Sequence, residues 1–127
     1  MGLPRHVFLG EDDREMRRLL ADMFRRDGWE VVEASNGAHL LELVLRRVVD
    51  DPAIDVVVSD VRMPGMNGLD VLGAIRRRDG SIPVVLITAF GDAEVRRAAR
   101  LLDAELLDKP FALERLRSLV TRWVRAP

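Results

Sequence analysis

The 127-residue sequence contains no cysteine. That absence excludes a disulfide scaffold, a thiolate metal site and a cysteine nucleophile, and it fits a reducing compartment. The sequence also lacks any apolar run approaching the ~20 residues that a membrane span needs, and its start lacks the apolar stretch of a signal peptide. We therefore predict a cytoplasmic protein that has no membrane partner.

An excess of charge of one sign is also absent. The sequence has 20 basic and 21 acidic residues, which give a formal net charge of −1. This balance argues against a basic nucleic-acid binder, and we predict no direct binding of nucleic acid. Hydrophobic residues make up 48% of the chain and charged residues 32%, which is typical of a globular domain. We expect residues 1–127 to form one domain with its own core.

Lysine is nearly absent, since Lys109 stands alone beside 19 arginines. Arginine-biased codon usage is the simplest explanation of that ratio. Under such a bias, a retained lysine is a candidate for a role that needs a compact charge on a flexible stem rather than a guanidinium fork.

Short apolar segments alternate with amphipathic patterns of helical period along the chain. The predicted strands cover residues 6–10, 29–34, 54–59, 82–87 and 105–108, and a helical stripe follows each of them. The fourth helix is expected over about 92–102, and the fifth continues to Val124. Strict alternation of strand and helix predicts an α/β fold in which a doubly wound parallel sheet carries helices on both faces.

Candidate site residues follow four of the five predicted strands. In open sheets of this kind, ligands bind beyond the carboxyl ends of the strands. Each residue has a simpler explanation as a helix cap, a turn residue or a strand terminus. Capping alone does not readily explain the whole set, which comprises Glu11 and Asp12 after the first strand, Asp60 after the third, Thr88 after the fourth and Lys109 after the fifth.

Three carboxylates in one crevice would repel one another unless a cation lay between them. Oxygen ligands without histidine or cysteine favour a hard ion such as Mg²⁺. A carboxylate beside Mg²⁺, with a lysine and a hydroxyl directed at the same space, suits phosphoryl transfer to an aspartate. The strand ends therefore predict Mg²⁺ as the cofactor.

Four stretches, taken together, resemble the receiver domain of two-component response regulators. They are 7–13 (VFLGEDD), 59–68 (SDVRMPGMNG), 87–92 (ITAFGD) and 108–111 (DKPF). Their order and spacing extend the resemblance over essentially the whole chain. The resemblance implies a single five-stranded sheet of the flavodoxin-like order 2-1-3-4-5.

The same resemblance implies the roles of the site residues. Asp60 would accept a phosphoryl group, and Lys109 would pair first with Asp60 and then with that group. Glu11 would act mainly through a bound water, and the peptide bond before Pro110 would be cis. The implied metal ligands are Glu11, Asp12, Asp60 and the Arg62 carbonyl, and the implied phosphoryl-binding residues are Val61, Thr88, Ala89 and Lys109.

The resemblance also implies the protein's partners. They would be a sensor histidine kinase or phosphotransfer protein, an output domain or target protein, and a second copy bound through the face of the fourth helix, fifth strand and fifth helix. The chain would be a signalling switch that assists its own phosphorylation and dephosphorylation, not an enzyme. Aspartate-based phosphatases have an acidic residue two positions after the nucleophile, and here that residue is Arg62.

Two features depart from the receiver pattern. Leu106 stands where receivers usually have tyrosine or phenylalanine, three residues before the lysine. The connection from Thr88 to Lys109 spans 21 positions, one fewer than receivers usually have. Its segment 101–104 lacks the usual glycine, so we expect the fourth helix to end without a left-handed cap. These departures leave an alternative function open, namely a receiver-like interaction module that does not depend on phosphorylation.

The remaining polar candidates are interpreted as structural or solvent-exposed. His6 and His39 have no partner pattern typical of a phosphodonor or a metal site. The arginine groups 46–47, 76–78 and 96–97 lie near predicted helix ends or on exposed faces, where solvated cations are common. We therefore expect no nucleic-acid patch from them.

Overall fold

A computed structural model describes residues 5–50, 55–89 and 93–122. Strands and helices alternate through these ranges as predicted. Within them, no helix is long and apolar enough to cross a membrane. The strands are β1 (Arg5–Gly10), β2 (Trp29–Ala34), β3 (Val56–Asp60), β4 (Val84–Thr88) and β5 (Glu105–Asp108), and the helices are α1 (Arg14–Arg26), α2 (Gly37–Asp50), α3 (Gly68–Arg78), α4 (Ala93–Leu101) and α5 (Leu113–Thr121).

The five strands form one parallel sheet in the order β2-β1-β3-β4-β5. This order confirms the predicted doubly wound, flavodoxin-like fold. The register aligns the carboxyl ends of the strands, because Gly10 pairs with Ser59 and Thr88 pairs with Asp108. Polar residues that follow neighbouring strands therefore meet at one edge of the sheet.

Helices cover both faces of the sheet, and each face has its own apolar core. Strand residues alternate between the two cores because successive side chains point to opposite faces. Phe8 packs with residues of α2, α3 and α4, such as Leu40 and Leu72. Leu9 packs with residues of α1 and α5, such as Phe24 and Leu116. Burial on both faces explains why the first three residues of β3 and the first four of β4 are all apolar.

Most predicted boundaries are confirmed to within two residues. The strand β3 ends at Asp60 rather than at Ser59, and β4 begins at Val84 rather than at Ile82. Residue 54 at the start of the predicted third strand, residue 92 at the start of the fourth helix and residues 123–124 at the end of the fifth lie outside the described residues.

The end of α4 corrects one prediction. Asp103 has a φ of 55°, so a left-handed residue does terminate the helix although glycine is absent. Its N–H donates to the Arg100 carbonyl at 3.1 Å, and the Ala104 N–H donates to the Ala99 carbonyl at 2.8 Å. This pair of bonds is the Schellman motif. Aspartate can occupy this position because its short polar side chain tolerates the left-handed region better than most.

Arg76 corrects a second prediction, since it is half-buried rather than solvated. Its guanidinium donates to the carbonyls of Leu102 at 2.7 Å, Ile82 at 2.7 Å and Asp103 at 3.1 Å. A longer bond of 3.5 Å reaches the Asp79 carbonyl. Arg76 therefore connects the end of α3 to the end of α4 and to the segment before β4.

Candidate functional site

Three carboxylates from two neighbouring strand ends meet at the carboxyl edge of the sheet. Glu11, Asp12 and Asp60 each offer an oxygen, and these oxygens all lie within 4.8 Å of one another. Glu11 is 1% exposed and Asp60 is 6% exposed, whereas Asp12 is exposed. The cluster is therefore buried on the side of the sheet and open to solvent on the side of Asp12.

Lys109 lies against this cluster. Its Nζ is 3.2 Å from Asp60 Oδ2 and 3.6 Å from Glu11 Oε1. Burial alone lowers the pKa of Lys109, but the negative charges of Asp60 and Glu11 outweigh burial and raise its pKa above the usual value. The lysine thus remains charged. The peptide bond from Lys109 to Pro110 is cis, as predicted.

Glu11 is the most perturbed of the three acids. Burial raises the pKa of Glu11 to about 7, and the charge of Asp60 adds to the rise. A hydrogen bond of 3.0 Å from the Asp13 N–H to Oε2 opposes it. Among the described residues, the buried Oε1 atom has no hydrogen-bond partner. A buried carboxylate oxygen that accepts no hydrogen bond and lies near two further acids is a suitable place for a cation.

The donor set fits a hard divalent cation. All three side chains offer carboxylate oxygens, and none offers the nitrogen or sulfur that softer metals prefer. The exposed residue Arg62 follows Asp60 by two positions. The predicted use of its carbonyl as a ligand stays a prediction.

The backbone packs closely around Asp60, through two residues that our sequence analysis did not single out. The Ser59 hydroxyl donates to the Asp60 carbonyl at 2.9 Å. The Gly68 N–H donates to the Val61 carbonyl at 2.8 Å, and a Cβ at Gly68 would lie 2.4 Å from the Asp60 carbonyl oxygen. Only glycine fits at position 68 without a shift of the backbone around Asp60. A glycine directly after the capping residue Asn67 was the available signal.

The predicted phosphoryl-binding residues divide into two groups. Thr88 is buried at the end of β4, and the exposed Ala89 follows it. The strand β4 pairs with β3, which carries Asp60. The Val61 N–H, in contrast, donates to the Ile87 carbonyl at 2.7 Å. That bond uses the Val61 amide in this structure, and the predicted contact of Val61 with a phosphoryl group stays a prediction.

The two histidines lie apart from this cluster. His6, at the start of β1, accepts a hydrogen bond of 2.8 Å from Arg47 Nη2 and lies 3.1 Å from Glu30 Oε2. His39 is exposed on α2. These positions agree with the expected structural and solvent-exposed roles.

A comparison of the sequence with known families agrees with the fold, the acidic cluster and the adjoining lysine. The model of the family described as "Response regulator receiver domain" matches residues 7–121. The chain belongs to this family. Receiver domains are signalling domains of two-component systems rather than classical enzymes, and they bind Mg²⁺ through an acidic pocket.

Curated relatives of this receiver domain include proteins of several lengths. It is 39% identical over 117 residues to the response regulator protein FleR of Pseudomonas aeruginosa. That alignment covers 91% of this chain and 24% of FleR. It is 28% identical to sporulation initiation phosphotransferase F of Bacillus subtilis, which covers 93% of this chain and 92% of that protein. The chain thus spans about a quarter of FleR.

Solved structures share its fold. A response regulator receiver domain protein from Clostridium thermocellum superimposes with a TM-score of 0.84 at 25% identity, covering 94% of each chain. A chain of the CheX-CheY-BeF3-Mg complex from Borrelia burgdorferi superimposes with a TM-score of 0.87 at 23% identity, covering 98% of this chain and 92% of that one.

Proposed function

We propose that this receiver domain is a phosphorylation-controlled signalling switch in which Asp60 accepts a phosphoryl group in a Mg²⁺-dependent reaction. One observation carries the proposal: the buried Asp60 carboxylate lies 3.2 Å from Lys109 Nζ and shares its pocket with Glu11 and Asp12. An aspartate that only formed a turn would not need a partly buried lysine and two further acids beside it.

In the proposed reaction an Asp60 carboxylate oxygen attacks phosphorus. A phosphorus–oxygen bond forms while the bond from phosphorus to a histidine nitrogen of the donor breaks, and the electron pair of that bond returns to the imidazole. Asp12 and Asp60 would hold Mg²⁺ directly and Glu11 mainly through a bound water, and the ion would neutralise charge on the phosphoryl oxygens.

The chain's own residues complete the site. Lys109 is a charged donor beside Asp60, and its long side chain allows it to follow the oxygens as they move from the donor to the acceptor. The Thr88 hydroxyl and the Ala89 N–H are the proposed donors to the remaining phosphoryl oxygens. Thr88 ends β4 and Ala89 follows it, and β4 is the neighbour of β3, which supports this assignment.

The proposed partner class is a sensor histidine kinase or a phosphotransfer protein. Response regulators of this family act with histidine kinases and output domains. We also propose that residues 1–127 form one receiver domain, which the family match over residues 7–121 supports. A homodimer through the face of α4, β5 and α5 stays a prediction.

Intact-mass spectrometry tests the proposal. Incubation of the purified chain with Mg²⁺ and a small phosphodonor such as phosphoramidate should add the mass of one phosphoryl group. Asp60→Asn should abolish the gain because an amide cannot accept the group, and chelation of Mg²⁺ should suppress it. Asp22→Asn, which changes an exposed aspartate on α1, should react like the unaltered chain. A chain that gains no mass under these conditions would refute the proposal.

The alternative of a phosphorylation-independent interaction module depends on Leu106 and on the shortened connection between Thr88 and Lys109. The missing glycine no longer supports it, because Asp103 supplies the left-handed cap. Leu106 is half-buried and packs against the core of α2, α3 and α4. If partner affinity is the same with and without the phosphate mimic beryllofluoride, the alternative is favoured over the switch.

A further inference from the structure

Arg17 connects the acidic loop, residues 11–13, to the strand β2. Its side chain extends from α1 back towards the end of β1 and is 19% exposed. Its Nη1 donates to the Glu11 carbonyl at 2.8 Å, and its Nε lies 3.5 Å from Glu33 Oε1 on β2. One guanidinium therefore contacts the backbone of a site residue and a carboxylate outside the site.

The bond to the Glu11 carbonyl falls on the peptide unit that joins Glu11 to Asp12. On the other side of Glu11, its N–H donates to the Ala34 carbonyl at 3.0 Å. Arg17 thus holds the Glu11–Asp12 peptide, and Ala34 of β2 holds the preceding Gly10–Glu11 peptide. Asp12 is exposed, whereas Glu11 before it is buried.

We propose that Arg17 is a positioning residue of the metal site, which increases the affinity of the Glu11, Asp12 and Asp60 cluster for Mg²⁺ by holding the Glu11–Asp12 peptide. Glu33 acts through Arg17, by fixing the plane of its guanidinium. This inference rests on the metal site of the proposed function. Groups that orient metal ligands commonly change metal affinity 10–100-fold when they are removed.

The charge of Arg17 acts in the opposite direction. A cation near a metal site repels Mg²⁺, so loss of the arginine charge alone would strengthen Mg²⁺ binding. Loss of positioning would weaken it. The sign of the change in affinity therefore separates the two roles.

Isothermal titration of Mg²⁺ into the full chain tests the inference. Arg17→Gln should weaken binding about ten-fold. Arg25→Gln is the matched control, because Arg25 Nη2 lies 3.0 Å from Glu33 Oε2. Among the described residues, no hydrogen bond or ion pair of the Arg25 side chain reaches residues 11–13. This variant removes the same charge from the same carboxylate and should bind Mg²⁺ within about two-fold of the unaltered chain. Urea unfolding in chelator shows whether each variant is folded.

A double-mutant cycle tests whether Glu33 acts through Arg17. Glu33→Gln should weaken Mg²⁺ binding about three-fold in the unaltered chain and should have no further effect in Arg17→Gln, because coupled residues are not additive. If Arg17→Gln does not fold, Arg17→Lys serves instead. It keeps the charge but cannot hold both partners, so it should also weaken binding.

The outcomes distinguish this inference from the proposed function. Mg²⁺ binding by Arg17→Gln (or by Arg17→Lys, where that variant is used) that equals or exceeds binding by the unaltered chain overturns the positioning role alone. An equal loss in Arg25→Gln overturns it as well. An unaltered chain that binds no Mg²⁺ overturns both the inference and the metal site of the proposed function.

Discussion

The two ends of the sheet each contain partly buried charge, but they treat it differently. At the carboxyl end, Glu11 is buried, its Oε1 has no hydrogen-bond partner among the described residues, and its pKa is raised to about 7. At the amino end, the guanidinium of Arg76 donates to four backbone carbonyls. The carboxyl end is electrostatically strained at Glu11, whereas the charge of Arg76 at the amino end is hydrogen-bonded to backbone carbonyls.

The difference separates structural charge from functional charge. A charge that stabilises a fold must find its hydrogen bonds within the protein, because an unpaired buried group is destabilising. A charge that serves a ligand keeps part of its capacity for that ligand, and the perturbed pKa of Glu11 is the consequence. We therefore expect substitutions at the two ends to change stability in opposite directions when no metal is bound.

Removal of Arg76 should have the largest effect on stability. Arg76→Ala leaves the carbonyls of Leu102, Asp103 and Ile82 without their donor, and we expect a loss of about 3 kcal/mol in the free energy of unfolding. Urea denaturation measures this loss. Arg77→Ala, which changes the exposed neighbour on α3, should alter stability by no more than about 0.5 kcal/mol. Equal losses in the two variants would contradict the distinction.

The pH dependence of the metal-free protein should show the strain at Glu11. The pKa of this carboxyl is about 7 in the folded protein against an ordinary 4.5, so the folded state binds the proton more tightly than the unfolded state does. Its contribution to stability is complete below pH 4.5 and is lost as the pH rises through 7. We expect a loss on the order of 2 kcal/mol over that window.

Urea denaturation in chelator between pH 4 and 8 measures this contribution. Glu11→Gln cannot titrate, so subtraction of its profile isolates Glu11 from the other carboxyls. Near pH 8 we expect Glu11→Gln to be more stable than the unaltered chain, because it has one buried charge fewer beside Asp60. A difference profile that is flat, or that rises with pH, would show that the strain is absent.

Much of the carboxyl end was predictable from the sequence. Apolar strands with short breakers predicted β2 and β5 with their observed bounds, 29–34 and 105–108. Because parallel strands end at the same edge of a sheet, the sequence alone predicts that Glu11, Asp60 and Lys109 lie close together.

The amino end was not predictable in this way. Arg76, Arg77 and Arg78 are identical residues in one run, and only the packing of α3 against the end of α4 makes the first of them a donor to a carbonyl 26 positions away. The contact of Arg17 with Glu11 depends likewise on how α1 leaves the sheet. Local periodicity describes which face of a helix is apolar, but it does not identify the distant backbone that a polar side chain reaches.

The smallest predicted effect concerns Asp103, which forms the left-handed cap that we did not expect without a glycine. A left-handed residue with a Cβ is strained, so Asp103→Gly should relieve strain and stabilise the protein by about 0.5 kcal/mol. A rise of about 2 °C in the melting temperature would report this gain in a domain of this size. Asp103→Ala should be destabilising, because alanine keeps the Cβ and loses the polar side chain.

Asp103→Asn separates backbone strain from charge at the same position. The negative charge of Asp103 favours the charged form of Arg76, which burial opposes by lowering its pKa. Asparagine tolerates the left-handed region as aspartate does but removes that charge. If Asp103→Gly and Asp103→Asn both destabilise the protein equally, the attraction between Asp103 and Arg76 exceeds the strain of the cap. The amino end would then depend on a charge pair in addition to the carbonyls that Arg76 binds.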